Sequence, residues 1–171
     1  MHFRRLTDDD LPMLHRWMND PGVVQWWEGE DVSWEGISKD YGSGSDPAVE
    51  HWIAVEDGTD IGWIQCYATA DSADDEEVRA WFALGVPDTA AGIDYVVGEP
   101  AQRGTGVGTR MVGAFVEAVV FGQHPSWTAI CASPYEANEA SWRVLEKSGF
   151  THVGTFDDDE GPCRLMRRDR P

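Results

Sequence analysis

The stretch GIDYVVGEPAQRGTGVGTRMV, residues 92–112, decides the fold of this chain. Residues 93–97 form an apolar run that is typical of a buried strand, and the Gly-Glu-Pro sequence after it ends that strand. The run RGTGVG follows directly and opens an amphipathic helix, which the apolar spacing predicts over residues 109–120. The sequence therefore predicts a strand, a glycine-rich loop and a helix in immediate succession.

The loop between this strand and this helix has the composition of an anion-binding site. Gly104, Gly106 and Gly108 alternate before the helix, so their backbone N–H groups can converge at the positive end of the helix dipole, and Arg103 adds charge. A dinucleotide fingerprint would need glycine where Thr109 stands, and a Walker A loop would need a Gly-Lys pair. The loop predicts the pyrophosphate of a different cofactor; a tight turn without a ligand is the alternative.

The overall composition predicts one compact domain with an acidic surface. The chain has 171 residues, 42 % of them apolar, and a formal net charge of −18. This charge argues against nucleic acid and anionic membranes as partners and favours neutral or cationic ones. The charge is uneven, because residues 17–102 hold 19 acidic and two basic residues, whereas residues 103–171 hold nine acidic and eight basic ones.

Aromatic residues share the acidic part of the chain. Aromatic walls interleaved with carboxylates suit a polyamine or an amino sugar, whereas an acidic solubilising face over a tryptophan-rich core is the alternative. Seven of the nine tryptophans lie in this part: Trp17, Trp26, Trp27, Trp34, Trp52, Trp63 and Trp81.

The sequence predicts neither a membrane segment nor a metal site. No apolar stretch reaches the roughly 18 residues of a membrane-spanning helix, and the start MHFRRLTDDD lacks the apolar centre of a signal peptide, so a cytoplasmic location is expected. The three cysteines lie in apolar runs that predict buried thiols, and the five histidines lack the spacing of metal ligands.

The remaining pattern predicts an α/β (α+β) fold with a mixed, mostly antiparallel sheet and helices on both faces. An acidic stretch, residues 71–77, is predicted to lack regular structure. The predicted helices are one opened by a capping box at residues 7–10, and those at 33–41, 109–120 and 139–147. The predicted strands are residues 3–6, 51–55, 61–67, 93–97, 127–131, 152–156 and 163–166.

The glycine loop resembles the acetyl-CoA loop of the GNAT N-acetyltransferases, whose pattern Arg/Gln-x-x-Gly-x-Gly/Ala is matched by Arg103, Gly106 and Gly108. Within that superfamily the chain resembles the aminoglycoside 6'-N-acetyltransferases nearly from end to end. The segments that carry the resemblance are MLHRWMND, VVQWWEGE, IGWIQCY, GIDYVVGEP with RGTGVGTRMV, and NEASWRVLEKSGF with VGTF.

This resemblance implies a GNAT fold in one domain, residues 1–171, with an acceptor-side half up to about residue 102 and an acetyl-CoA-side half beyond it. It implies an enzyme, a monomer or a homodimer, that acetylates a primary amine of aminoglycosides, the 6'-amine, and confers antibiotic resistance. No metal is implied.

The resemblance also implies where acetyl-CoA lies, namely across a splayed pair of parallel strands at residues 94–97 and 128–131. Asn138 would contact the pantetheine arm, with a helix N-cap as the alternative role. Backbone N–H groups around Val96 and Val97 would stabilise the oxyanion. The pyrophosphate would lie on Arg103, Gly104, Thr105, Gly106, Val107, Gly108 and Thr109.

At the acceptor end the resemblance implies that Asp94 orients the amine and takes its proton. A turn residue that interrupts an apolar strand is the alternative role of Asp94. The residues implied to line the acceptor cleft are Trp26, Trp27, Gln65, Tyr67 and Ser133, and those expected to pair with further ammonium groups are Asp71, Asp74 and Asp75.

Two positions depart from the family pattern. Ser133 stands where the family often has an aspartate, and Leu145 stands where it commonly has the tyrosine that protonates the leaving thiolate. No side chain is therefore assigned as general acid. Two alternatives stay open: an acyltransferase for a siderophore lysine or a protein N-terminus, and a non-catalytic module that binds acetyl-CoA or cationic ligands.

Overall fold

A single mixed sheet of seven strands organises the computed structural model, which describes residues 1–27 and 29–171. The strand order is β1-β2-β3-β4-β5-β7-β6, and among the described strands only the β4–β5 pair is parallel. The strands are β1 (His2–Arg5), β2 (Val49–Glu56), β3 (Thr59–Ala68), β4 (Ala90–Val97), β5 (Ala129–Ala132), β6 (Thr151–Asp158) and β7 (Gly161–Asp169). The predicted mixed, mostly antiparallel sheet is confirmed.

The hairpin of β2 and β3 turns on two residues, Asp57 and Gly58. Both have positive φ angles, 51° and 76°, as the tight hairpin turns that match strand twist require. The hairpin register places His51 opposite Gln65, and the next pairing places Gln65 opposite Asp94. One row of side chains thus crosses three strands towards the acceptor end of the molecule.

The parallel strands β4 and β5 separate after a short paired stretch. Their pairing joins residues 90–92 to residues 129–131, and β4 then continues to Val97 without a partner on that side. The predicted splay is confirmed. The strands differ from their predicted bounds, since β4 begins at Ala90 and β5 begins at Ala129 rather than at residues 93 and 127.

Helices cover both faces of the sheet, as predicted. On one face α1 and α3 pack on Ile53 and Trp63, and on the other α5 and α7 pack on Trp52 and Ile64; neighbouring residues of a strand point to opposite faces. The helices are α1 (Leu11–Met18), α2 (Pro21–Val24), α3 (Trp34–Tyr41), α4 (Glu76–Ala83), α5 (Val107–Phe115), α6 (Phe121–Gln123) and α7 (Glu139–Lys147), with a π-helical segment, Val116–Val120, between α5 and α6.

One prediction is wrong at α4, because the stretch predicted to lack regular structure runs into a helix. Asp75 caps this helix, and its Oδ1 accepts hydrogen bonds from the backbone N–H groups of Glu77 and Val78 at 2.8 and 3.3 Å. Val78 and Trp81, one turn apart, are fully buried. The cap and this apolar pair outweigh the repulsion among the acidic residues, and they fix the direction in which Glu77 points.

Helix α5 begins at Val107, two residues before the predicted start. Gly106 precedes it in the left-handed region with φ of 84°, a conformation that favours glycine. Cys66, Cys131 and Cys163 are buried free thiols, as predicted. Among the described residues, no helix is both long and apolar enough to cross a membrane.

Candidate active site

A cleft of about 880 Å³ opens where β4 and β5 separate. It is lined by most of the residues proposed from the sequence. At the acceptor end these are Trp26, Trp27, Gln65, Tyr67, Asp75, Asp94 and Ser133; at the other end they are Val96, Val97, Arg103, Gly104, Gly106, Gly108, Thr109 and Asn138. The segment VVQWWEGE contributes both tryptophans, while its residue 28 lies outside the described residues.

Four proposed residues lie away from the cleft lining. Asp71 and Asp74 are exposed in the turns between β3 and α4. Thr105 is exposed and its hydroxyl donates to the Gln102 carbonyl at 2.6 Å. Val107 is buried in a small core cluster with Met111, so its side chain supports the loop from below.

The glycine loop presents free backbone donors to the cleft. The first helical hydrogen bond of α5 runs from the Arg110 N–H to the Gly106 carbonyl at 3.2 Å, so the N–H groups of residues 107–109 have no acceptor within the helix. No side chain caps this helix end. A Cβ on Gly108 would lie 3.2–3.3 Å from Val144 and Val97, so glycine also allows close helix packing here. The arrangement fits a phosphate group at a helix N-terminus.

All three nitrogens of the Arg103 guanidinium group contact other groups of the protein rather than pointing into the cleft. Its Nε donates to the Val97 carbonyl at 3.1 Å, its Nη2 donates to the Gly98 carbonyl at 2.8 Å, and its Nη1 pairs with Asp20. These contacts tie the end of β4 to the glycine loop. Arg103 is therefore in place to position the loop, and the loop N–H groups supply the donors.

The open edge of β4 offers its own backbone donors. The Gly98 N–H donates to Ile61 of β3 and the Ala90 carbonyl accepts from Thr69, so even-numbered residues of β4 direct their backbone groups to β3. The N–H of Val97 consequently faces the open side, together with that of Tyr95. The expectation for Val96 needs correction, because its N–H faces β3, whereas the N–H groups of Tyr95 and Val97 face the open side and can stabilise an oxyanion.

Helix α7 contributes a cap and a hydroxyl at the cofactor end. Asn138 caps this helix through its Oδ1, which accepts from the Ser141 N–H at 3.2 Å, and it also lines the cleft. Leu145 is fully buried in the core. One turn earlier, the Ser141 hydroxyl lies 2.8 Å from the Tyr95 hydroxyl, and both residues line the cleft. Sequence reasoning missed Tyr95, whose apolar strand context suggested a core residue.

Asp94 and Gln65 form the centre of the acceptor end. The Gln65 amide Nε2 donates to Asp94 Oδ2 at 2.8 Å. Burial raises the pKa of Asp94, the Gln65 hydrogen bond opposes that rise, and the negative charges of Glu30 and Asp75 add to it. A carboxylate with a raised pKa is a stronger base than an exposed one, as proton transfer from an ammonium group requires.

Aromatic rings wall this end of the cleft. Tyr67 packs across Gly92, where a Cβ would lie 2.5 Å from its hydroxyl oxygen, and burial raises the pKa of the phenol. Trp27 stands edge-on to the buried ring of Trp63, with ring centroids 6.1 Å apart. Such fixed rings offer flat apolar surfaces to a sugar ring.

A carboxylate that sequence reasoning missed lies in the same cleft. Glu77 accepts a hydrogen bond from the Ser133 hydroxyl, and burial together with the charge of Asp94 raises its pKa to about 8. The sequence did hold a signal, since Asp75 followed by two glutamates and then Val78 and Trp81 is an N-cap ahead of an apolar pair.

Charge divides the cleft along its length. Its basic lining residues, Arg103, Arg143 and Lys147, come from the glycine loop and α7. The acidic ones are Glu30, Asp40, Asp46, Asp75, Glu77, Asp94, Asp158 and Glu160. Asp158 and Glu160 belong to the second half of the sequence, and the β6–β7 hairpin places them at the acceptor end of the cleft.

A cluster of potential ligand atoms lies outside this cleft. The side-chain ligand atoms of Glu50, Cys66 and His124 lie within 4.8 Å of one another. The Glu50 oxygen already pairs with Arg5 at 2.9 Å and accepts from the Trp52 ring N–H at 3.2 Å. This carboxylate is thus neutralised and hydrogen-bonded by the protein itself.

A splayed parallel pair beside a glycine loop of free N–H donors, with a half-buried carboxylate on the length of β4 that β5 leaves unpaired, defines an acyltransferase that uses a nucleotide-bearing thioester. In agreement, the family model of the acetyltransferase (GNAT) domain matches residues 7–158, and the chain belongs to this family.

Relatives within the family point to one substrate class. The chain is 31% identical over 171 residues to the aminoglycoside N(6')-acetyltransferase type 1 of Klebsiella pneumoniae, covering 98% of this chain and 82% of that protein. It also resembles the structure of AAC(6')-Ib in complex with paromomycin and acetyl-CoA, with a TM-score of 0.85 and 31% identity over 98% of this chain and 92% of that one. A second structure of AAC(6')-Ib, with coenzyme A and kanamycin, superposes with a TM-score of 0.83 at 31% identity, covering 98% and 94% of the two chains.

Proposed function

We propose that this chain transfers an acetyl group from acetyl-CoA to a primary amine of aminoglycoside antibiotics, the 6'-amine, and thereby confers resistance. The observation that carries the proposal is the position of Asp94, on the unpaired length of β4 between the glycine loop and an acidic, aromatic-walled hollow. The similarity to aminoglycoside N(6')-acetyltransferases over nearly the whole chain supports it.

The cofactor end holds the coenzyme through the backbone. The free N–H groups at the start of α5 bind the pyrophosphate, and Arg103 keeps that loop against the end of β4. The unpaired edge of β4 hydrogen-bonds the pantetheine arm as a further strand would, and Asn138 borders its path. Acetyl-CoA lies in this way with its thioester facing Asp94.

The acceptor end prepares the nucleophile. Its carboxylates attract the polycation, while Trp26, Trp27 and Tyr67 contact the sugar rings. Asp94 takes a proton from the reactive ammonium group, which leaves a neutral amine. Holding both reactants in line contributes on the order of 7 to 11 kcal/mol.

The groups already described are sufficient for the transfer step, which needs no metal ion. The amine nitrogen attacks the thioester carbon, the Val97 N–H stabilises the oxyanion, and the carbon–sulfur bond breaks as the amide forms. The amine nitrogen loses its extra proton as the amide forms, and the leaving thiolate takes that proton or one from water. No side chain is needed for that step, because a thiolate is a good leaving group.

We further propose that the chain works as a single domain, with residues 1–102 mainly on the acceptor side and residues 103–171 mainly on the acetyl-CoA side. It acts in the cytoplasm as a monomer or a homodimer. Ser133 and the acidic run of β6–β7 are parts of the second half that serve the acceptor.

The experiment is a thiol-release assay with purified protein, acetyl-CoA and kanamycin, followed by mass and position analysis of the product. We expect acetylation at the 6'-amine, and Asp94→Asn should bind coenzyme A normally while turnover falls about 100-fold or more. Faster transfer to an N-hydroxylysine precursor or a peptide amine would assign a different acceptor. Saturable binding of both ligands without thiol release would contradict an enzymatic role.

A further inference from the structure

Glu77 stands out in the cleft because its carboxylate accepts a hydrogen bond from an uncharged donor that is itself fixed by the core. The Ser133 hydroxyl donates to it, and the Trp81 ring N–H in turn donates to the Ser133 oxygen at 3.0 Å. Trp81 is fully buried, so this short chain of hydrogen bonds is anchored in the core. The carboxylate therefore faces the cleft in a fixed orientation, and it loses little conformational entropy when a ligand binds.

The charged groups that act most strongly on Glu77 are acidic. Asp94 from β4, Asp75 from the start of α4 and Asp158 from β6 each raise its pKa through their negative charge, in addition to the larger effect of burial. Among the ion pairs of residues 1–27 and 29–171, none joins Glu77 to an arginine, lysine or histidine. A desolvated carboxyl group among other acids becomes favourable as an anion once a cation lies beside it.

We propose that Glu77 binds a second ammonium group of the acceptor, on the same sugar ring as the amine that Asp94 deprotonates. This inference rests on the proposed function and concerns substrate choice within it. Glu77 then determines specificity: it favours acceptors with two amino groups on the reactive ring over those with one amino group and a hydroxyl. A charge-assisted hydrogen bond in a desolvated cleft discriminates in this way more strongly than contacts with neutral groups.

The test compares kanamycin with its analogue that carries an amino group in place of a hydroxyl on the ring bearing the reactive amine. We expect Glu77→Gln to lower kcat/KM for the diamino ring about tenfold or more, mainly through KM, and to change kcat/KM for the monoamino ring less than about threefold. Glutamine keeps the hydrogen bond from Ser133, so the variant should retain its fold, which thermal unfolding checks.

Two further variants make the result specific. Glu76→Gln removes the neighbouring charge on the exposed side of α4, away from the cleft lining, and should leave the ratio of the two substrates unchanged. Ser133→Asp introduced into Glu77→Gln places a carboxylate beside the former one, because residue 133 contacts it directly. That double variant should recover at least part of the preference for the diamino ring.

The outcomes separate this inference from the function on which it rests. Acetyl transfer by the wild-type protein with an unchanged substrate ratio in Glu77→Gln would overturn the role of Glu77 and leave the proposed function standing. Equal losses on both substrates, or losses only in kcat, would also overturn it, since they would indicate a structural or general catalytic effect. Absence of transfer by the wild-type protein to either aminoglycoside would overturn both.

Discussion

Gln65 and Asp94 lie opposite each other on β3 and β4, and the Gln65 amide donates a 2.8 Å hydrogen bond to the Asp94 carboxylate. This bond stabilises the charged form of a carboxylate whose pKa burial otherwise raises. The amide therefore adjusts how basic Asp94 is, and it can do so without contacting the acceptor. Asp94 must be ionised to take the proton, so the adjustment sets the acidic limit of activity.

We predict that Gln65→Met moves the acidic limb of the kcat/KM profile upward by about one pH unit, because the pKa of Asp94 rises when its donor is lost. Methionine keeps the length of the side chain. The profile is measured by thiol release between pH 5 and pH 9. If only KM changed and the limb stayed in place, Gln65 would serve the substrate rather than Asp94.

A second prediction concerns the contact of Gly92 with Tyr67. Gly92→Ala would place a Cβ 2.5 Å from the phenol oxygen, so the ring must leave its position on the cleft wall. We expect an increase of about tenfold in KM for the aminoglycoside, unchanged coenzyme A affinity, and a loss of roughly 1–3 kcal/mol of unfolding free energy. Steady-state kinetics, calorimetry and thermal unfolding measure these three quantities.

Gly113→Ala is the matched control for that substitution. A Cβ at this position of α5 meets no atom within 4 Å, so alanine should raise the unfolding free energy by about 0.5–1 kcal/mol. Kinetic constants should stay unchanged. An equal rise in KM in both variants would mean that Tyr67 is not the cause.

The cofactor end could be predicted further from sequence than the acceptor end, and the reason is physical. A glycine loop before a helix is a local signal, and its free N–H groups follow from the first turn of α5 alone. The acceptor end is assembled from β3, β4, α4 and the β6–β7 hairpin, which are distant in sequence. The resemblance to the acetyltransferase family indicated Asp94 and Gln65, yet only the fold separates Asp75 from Asp71 and Asp74.

Helix α4 illustrates the same limit. Its eight residues carry a single buried pair, Val78 and Trp81, so the periodic signal is short and follows directly on an acidic run. Burial of Trp81 against β5 and β7 decides the structure, and that contact is not local. Because residues 71–77 were predicted to lack regular structure, the sequence could not indicate a partner for Glu77, and Glu77 was missed as a site residue.

A third prediction follows from the contacts of Arg103. Arg103→Met removes its hydrogen bonds to the Val97 and Gly98 carbonyls and leaves Asp20 without its partner. We expect a loss of about 1–3 kcal/mol of unfolding free energy and weaker coenzyme A binding by about tenfold, because the loop is no longer fixed to β4. Denaturant unfolding and calorimetry provide the measurements.

Arg110→Met serves as the control for stability, since Arg110 makes an exposed ion pair with Glu56. Its removal should change the unfolding free energy by less than about 1 kcal/mol. Lost coenzyme binding with unchanged stability in Arg103→Met would contradict a positioning role and indicate a direct phosphate contact.

The raised pKa of Glu77 predicts how stability depends on pH. Its pKa is about 8 in the folded protein against an ordinary value of 4.5, so between these values the folded state keeps a proton that the unfolded state releases. Stability from this group is therefore complete below pH 4.5 and is lost as pH rises through 8. In Glu77→Gln that loss disappears, and the stability of the variant relative to wild type should rise by roughly 4 kcal/mol between pH 5 and pH 9. Denaturant unfolding at several pH values measures the difference, from which the contribution of His51, whose pKa burial lowers to about 4, cancels because both proteins contain it. Glu76→Gln should run parallel to wild type, and a parallel curve for Glu77→Gln would mean that Glu77 is ionised throughout this range.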